Sequence, residues 1–311
     1  MNGKLVTLIG GGGFLGRYVA QDLLNAGARL RIAQRDPRAA LFLRTQGGLG
    51  QTQFAAIDVT RPDSIARAVE GSDAVVNLVG VLKGNFHAVQ AEGAGNVARA
   101  AAAAGVGALV HMSAIGADAA SASAYGRSKA AGEDAVRAAF PTATILRPSI
   151  VFGREDQFVN RFAGMIASAP VVPVLRGAAR FQPVYVADVA QVATRALSEP
   201  DRFGGETYEL GGPDVLTMEA LIRWIAQAIG RAPSIIDVPD IAGKLIARAG
   251  FLPGAPITMD QWQMLQSDNI VTGQDGLAAF GVTPTPLDAV APAWLVRYRR
   301  QGRFGTVSEA A

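Results

Sequence analysis

Three residues in the middle of the chain have types and spacing suited to proton transfer at a carbonyl or an alcohol: Ser113, Tyr125 and Lys129. Tyr125 and Lys129 stand four apart in the stretch YGRSK, so on a helix they share one face. An ammonium beside a phenol favours the phenolate and draws the tyrosine pKa down towards working pH. Tyr125 then has the character of an acid or a base, with the Ser113 hydroxyl orienting it. A Tyr and a Lys at this spacing recur by chance. Their place gives the pair weight, because the predicted helix over 124–140 follows a strand that ends in HMSAIG.

A second group of residues is suited to holding a phosphate. Residues 9–16 read IGGGGFLG, in which Gly10, Gly13 and Gly16 form G-x-x-G-x-x-G, with Gly11 and Gly12 as the variable, flexible pair. Leu15, Val19, Leu23 and Leu24 follow at helical spacing, and Gly27 stands where a helix cap belongs. A flexible linker would lack that periodicity. Glycines let a backbone approach a diphosphate, and a helix beginning at Phe14 and Leu15 turns its free N–H groups towards it. The next apolar run ends in RIAQRDP. A site for NAD usually carries an acid there, whereas this chain has Gln34 and Arg35. Arginine matches a 2′-phosphate with two parallel donors, so the reading favours NADPH over NADH. Asp36 with Pro37 forms the expected N-cap and first-turn pair of a helix. Asp58 has two open readings, an acceptor for an adenine amino group or a cap for the helix of RPDSIARAVEG.

These residues need a scaffold, and the pattern of the first half supplies one. Short apolar runs at 5–9, 30–34, 53–57, 74–78, 108–112 and 144–146 alternate with helical stretches such as 14–26, 85–104 and 124–140. Strands apolar throughout, alternating with helices, predict an α/β fold: a Rossmann-type, doubly wound parallel sheet covered on both faces. The alanines at 100–104 read as a helix packed closely on that sheet. After Pro148 the rhythm changes. The expected division is a dinucleotide domain over 1–155 plus about 181–202, with a smaller C-terminal lobe over 156–180 and 203–311. In that lobe Thr217 reads as the N-cap of a helix, and Trp262, Met264 and Leu265 read as packing residues.

Composition removes several classes of function. The chain of 311 residues is half apolar and 18% charged, with a net charge of +3 and no cysteine, so disulfides and thiolate chemistry are excluded. Its two histidines, His87 and His111, lack metal-ligand spacing, and no metal is expected. No dense basic stripe suggests nucleic acid. The one basic cluster, WLVRYRRQGRFG over 294–305, reads as a solvated end, with contact to an acidic partner or anionic lipid as the sharper alternative. Asp156 in FGREDQFVNR reads as a helix cap. No transmembrane segment is expected, and the strand-like start at Lys4 leaves no room for a leader.

The motifs IGGGGFLG, NLVG at 77–80, Ser113, YGRSK and RPSIVFG at 147–153 together resemble the short-chain dehydrogenase/reductase superfamily, of extended or atypical type. The resemblance implies an NADP site that includes Val59, Leu78, Val79, Gly80, Pro148 and Ile150 as well as the glycine loop. It gives Lys129 a bond to the nicotinamide ribose. EGAGNVARAA resembles that superfamily's G-T-x-N helix and implies Asn96 near the active site, with Ala94 in place of threonine. NFHAVQAEGAGNVARAA, QPVYVADVA and PGAPITMDQWQMLQSDNIV are similar to the NADPH-binding accessory subunits of respiratory complex I (NADH:ubiquinone oxidoreductase) and their bacterial relatives. That resemblance implies tightly held, mainly structural NADPH. It also implies peripheral-arm subunits as partners, with anionic lipid or quinone nearby, and a cytoplasmic location or one peripheral to the inner membrane. The alternative is a free NADPH-dependent oxidoreductase using Ser113, Tyr125 and Lys129 on a hydrophobic carbonyl, hydroxyl or quinone-like substrate.

Overall fold

The computed structural model describes residues 1–250, 252, 257–300 and 302. Two compact units emerge from it. The larger comprises Met1–Pro148, Val186–Leu210 and Val271–Thr283, and the smaller Ser149–Tyr185, Gly211–Ile270 and Pro284–Ala311.

In the larger unit the chain runs through β1 (Leu5–Ile9), α1 (Phe14–Asn25), β2 (Arg29–Gln34), β3 (Thr52–Ala56), α2 (Pro62–Val69), β4 (Ala74–Asn77), α3 (Gly93–Ala103), β5 (Ala108–Met112), α4 (Ala124–Ala139) and β6 (Thr144–Pro148). With Thr207–Leu210 these strands form one seven-stranded sheet, in the order Thr207–Leu210, β6, β5, β4, β1, β2, β3. Every pairing in it is parallel. Buried β1 and β5 residues explain the apolar runs, since both sheet faces are covered. On one face Ile9, Val75 and Leu109 meet Ile65, Ala94, Val97, Ala98, Ala101 and Val136. The small alanines of α3 allow that close approach, but Ala102–Ala104 lie exposed beyond the packed face. The order reverses between β1 and β4, which lie side by side and diverge in sequence; ligands of open α/β sheets bind outside the strand ends there.

The unit boundary differs from the sequence expectation at four places: 149–155, 181–185, 203–210 and 271–283. Thr207–Leu210 is an edge strand of the large sheet, not part of the lobe. Its buried Glu209 draws in a distant segment, accepting the N–H groups of Thr272 and Gly273 at 2.7 and 2.8 Å. Residues 149–155 and 181–185 belong to the smaller unit, where Val151–Phe152 pairs in parallel with Val184–Tyr185.

The smaller unit has its own core, with Phe152, Val159, Ile166, Phe181, Leu221, Ile225 and Leu295. Thr217 caps the helix Met218–Ala228 through Ala220 N–H, as its sequence predicts. Trp262 is buried with Ala247 and Ile257, Leu265 packs beside them, and Met264 is exposed. Of the basic cluster, Arg297 donates to Asn160 and Arg299 to the Ala228 carbonyl. Gln301, Arg303, Phe304 and Gly305 lie outside the described residues, as do 253–256 of PGAPITMDQWQMLQSDNIV. No helix among the described residues is long and apolar enough to cross a membrane.

Candidate functional site

The glycine loop follows β1, and each glycine has a distinct reason. Gly10 adopts φ +81°, and its Cα faces Leu78 and Val79 at the end of β4, where a Cβ would lie 3.4 Å from Val79 Cγ2. Gly16 packs on the Gly11 backbone, closing α1 onto the loop. The variable pair proves to be constrained. A Cβ on Gly11 would come within 2.9 Å of Leu8 Cβ, and one on Gly12 would overlap Gln34 Oε1 and Ala40. Gly13 is exposed and supplies no side-chain cap to α1. The first N–H groups of that helix, from Phe14 and Leu15 onward, are thus left for an incoming anion.

The β2 end lies beside this loop. Gln34 Oε1 accepts the Gly12 N–H at 2.9 Å, and Gln34 Nε2 donates to the Asp36 carbonyl at 2.5 Å. Arg35 is exposed. Asp36 accepts from Arg38 N–H and caps the 3₁₀ helix Pro37–Gln46, in keeping with its predicted role. Asp58 accepts the Thr60 N–H and hydroxyl on one oxygen, at 2.9 and 2.7 Å. Those bonds hold its carboxyl below the usual range, and the positive charge of Arg35 adds to them. Val59 is buried against Gly93.

Around α4 the structure differs from two expectations and adds to a third. Ser113 is held by a carboxylate. Its hydroxyl donates to Glu133 Oε1 at 2.6 Å, and Glu133 also accepts both arms of Arg147 at 2.7 Å and Arg137 at 3.0 Å. Glu133 is buried, so two guanidiniums and a hydroxyl are what make its charge tolerable there. The Tyr125 phenol is not drawn down. Burial pushes it up to about 12, and Lys129 Nζ stands 5.9 Å from the ring centre while donating to the Met112 carbonyl at 3.0 Å. Burial in turn lowers Lys129 to about 8, with Glu133 opposing the shift. Finally, the amide of Asn96 is engaged away from the triad, donating to the Val59 carbonyl at 2.9 Å and accepting from Arg99 at 2.5 Å.

Gln90 is the polar residue of this segment that reaches the site, and the sequence reading missed it. It lies in a π-helical turn, His87–Glu92, that precedes α3. Its buried amide accepts Val81 N–H at 3.0 Å and donates to Ser128 Oγ at 2.8 Å. A Cβ on Gly80 would lie 3.5 Å from both Gln90 Oε1 and Lys129 Nζ, so these three residues converge. The available signal was a polar residue four before buried Ala94, within an otherwise small and apolar face. Pro148 ends β6, its carbonyl accepting from Ile115. Ile150 belongs to the smaller unit and packs against that unit's core.

The histidines and Asp156 have local structural roles. His111 is buried, held near Asn77, and burial lowers it to about 3. His87 is exposed beside Glu92. No group of potential metal ligands occurs among the described residues. Asp156 accepts Val159 N–H at 2.6 Å and caps the helix Val159–Ser168 from two residues before its N-cap position.

A glycine-rich turn between strand and uncapped helix, on a parallel sheet at its point of reversal, defines an NAD(P)-binding α/β protein of the dehydrogenase kind. The chain belongs to the NAD dependent epimerase/dehydratase family, which matches residues 6–211. It is 36% identical over 311 residues to NADH dehydrogenase (ubiquinone) 1 alpha subcomplex subunit 9, mitochondrial, of Mus musculus, covering 96% of this chain and 81% of that one. It is 30% identical over 260 residues to a ceramide reductase of Caulobacter vibrioides, covering 81% and 80%. Its fold is similar to that of an NADPH-dependent quinone oxidoreductase of Escherichia coli complexed with NADPH, with a TM-score of 0.76 at 21% identity, covering 93% and 99%.

Proposed function

We propose that this protein is an accessory subunit of a respiratory NADH:quinone oxidoreductase that holds NADPH as a structural ligand. The similarity to the complex I subunit supports the assembly. The observation that carries the accessory role over an enzymatic one is Ser113, whose hydroxyl donates its proton to the buried Glu133 carboxylate. Tyr125, raised to about 12, remains a protonated donor at neutral pH. Bound NADPH supplies hydride when a substrate is present; the residues of this chain bind and orient it. Gly10, Gly13 and Gly16 with the N-terminus of α1 hold the pyrophosphate. Exposed Arg35 receives the 2′-phosphate, and the adjacent Asp36 serves as a cap. Lys129, Gln90 and Gly80 form the nicotinamide-ribose end.

The partners are peripheral-arm subunits, with an anionic lipid surface meeting the helix Asp240–Arg248 at the cytoplasmic face of the membrane. That helix exposes Ile241, Leu245 and Ile246 together with Lys244 and Arg248.

Two measurements test the reading. Mass spectrometry of the purified protein should identify NADP(H) and no comparable NAD(H). Fractionated, solubilised membranes should carry the protein with NADH:quinone activity; a protein found only as a free species would overturn the accessory role. A second reading, a reductase acting on a hydrophobic carbonyl, draws on the retained Tyr125 and Lys129 pair and on the similarity to a ceramide reductase. Oxidation of bound NADPH by such a carbonyl, lost in Tyr125→Phe, would favour it.

A further inference from the structure

Gln34 joins the glycine loop to the turn presenting Arg35. Its Oε1 accepts the Gly12 N–H at 2.9 Å, and its Nε2 reaches across residue 35 to the Asp36 carbonyl at 2.5 Å. The backbone of Arg35 is thereby bracketed from both sides. Two further observations show that the arrangement is built in. Gly12 has no room for a Cβ because the Gln34 amide and Ala40 occupy that space, so the loop residue and the strand residue fit as a pair. Asp36, whose carbonyl receives Gln34, is itself fixed by its own cap bond from Arg38 N–H at 3.0 Å. Loop, β2 end and the 3₁₀ helix Pro37–Gln46 are therefore tied through one neutral amide.

We infer that Gln34 is a specificity-determining positioning residue: it fixes Arg35 relative to the glycine loop so that one nucleotide can meet both. The chemistry recognised is a 2′-phosphate on an adenosine whose diphosphate lies on α1. The covalent frame of the ligand limits the separation of those two phosphates, so the loop and the arginine must be held within a matching range. A glutamine suits the task better than the acid found at this strand end in NAD sites. A carboxylate could accept from Gly12, but it could not donate to Asp36, and its charge would repel a 2′-phosphate and compete for Arg35. The inference rests on the NADPH reading above.

The test compares full-length protein binding to 2′,5′-ADP and to 5′-ADP by calorimetry, since the two probes differ only in the 2′-phosphate. The selectivity ratio, not affinity alone, is the readout, because a general disturbance of the fold would weaken both probes together. The expected result is a ratio that falls about tenfold in Gln34→Ala, one lost hydrogen-bonded link corresponding to roughly that factor. In Gln34→Glu the ratio should fall further, and preference should pass to 5′-ADP. Arg35→Ala should abolish the ratio, and adding Gln34→Ala to it should change nothing more, as required of a residue acting through Arg35. Circular dichroism and melting confirm that each variant is folded. A wild-type protein that does not distinguish the probes overturns the NADPH reading and this inference with it. A selective wild type with an equally selective Gln34→Ala, or additive effects in the double variant, overturns the role of Gln34 alone.

Discussion

Ser113 and Lys129 carry different physical loads, and each can be separated by experiment. The Ser113 hydroxyl is one of the groups that satisfy buried Glu133, alongside Arg147 and Arg137. Truncation leaves carboxylate capacity unmet, so Ser113→Ala should lower unfolding free energy by about 1–3 kcal/mol. Nucleotide affinity should stay within about twofold of wild type. Loss of nucleotide binding without loss of stability would restore a triad role to Ser113. Lys129 behaves in the opposite sense. Its folded pKa of about 8 lies below its ordinary value of 10.5, so the folded state is penalised whenever the lysine is protonated in both states. That penalty is fully present below about pH 8 and disappears as pH rises to about 10.5. Its ceiling is about 3 kcal/mol for a shift of this size. Denaturant titrations of wild type and Lys129→Met should therefore converge or reverse in favour of wild type between pH 7 and pH 10. A difference independent of pH would refute the assignment. The partner of Ser113 was not legible in the sequence: Glu133 lies twenty residues on and Arg147 comes from β6, and nothing in HMSAIG distinguishes a serine facing a tyrosine from one facing a carboxylate.

At the scale of elements, what could be read from sequence was whatever depends on local periodicity. β1, α1 and the glycine loop show it, because strand, turn and helix are contiguous and each constrains the next. The caps at Asp36, Thr217 and Asp156 were legible for the same reason, since each acts within four residues. Features set by distant packing were not. The π-helical turn His87–Glu92 shifts the face presented ahead of α3, so Gln90 reaches the site while Asn96 turns to Val59. The unit boundary likewise depends on Glu209 capturing backbone sixty residues away. Contact between this turn and α4 rests on Gly132, where a Cβ would overlap the Gln90 carbonyl. Gly132→Ala should push the two apart and cost about 1–3 kcal/mol. Gly107→Ala provides the control. A Cβ there meets only the Asp73 carbonyl at 3.6 Å, so urea midpoints should change little or rise slightly. Equal losses in the two variants would show that close packing on the Gln90 turn is not what Gly132 provides.

For the molecule as a whole, the net charge of +3 is too small to bring it to an anionic surface by long-range attraction alone. On the membrane contact proposed above, local arrangement has to do so, and the helix Asp240–Arg248 has the required form. Its inward face is Gly243 and Ala247, packed on Trp262, with a Gly243 Cβ position only 2.5 Å from the indole. The outward face leaves Ile241 80% and Leu245 58% exposed, and Lys244 and Arg248 flank them. The one acid at its start, Asp240, is paired with Arg176 at 2.8 Å, so the flanking charge is positive. Apolar side chains of this size cost free energy in water and gain it at a lipid interface, with each nearby cation adding about 1 kcal/mol on an anionic leaflet. Sedimentation with phosphatidylglycerol-containing vesicles should therefore recover the protein, and neutral phosphatidylcholine vesicles should recover much less. Lys244→Ala and Arg248→Ala should each weaken binding about fivefold and flatten its salt dependence. Ile241→Glu with Leu245→Glu should abolish it while nucleotide binding, proposed for the glycine loop, stays unchanged. Equal recovery of that double variant and wild type would show that this helix is not the membrane-facing element. Binding indifferent to lipid charge would assign the exposed aliphatics to a protein neighbour in the assembly instead.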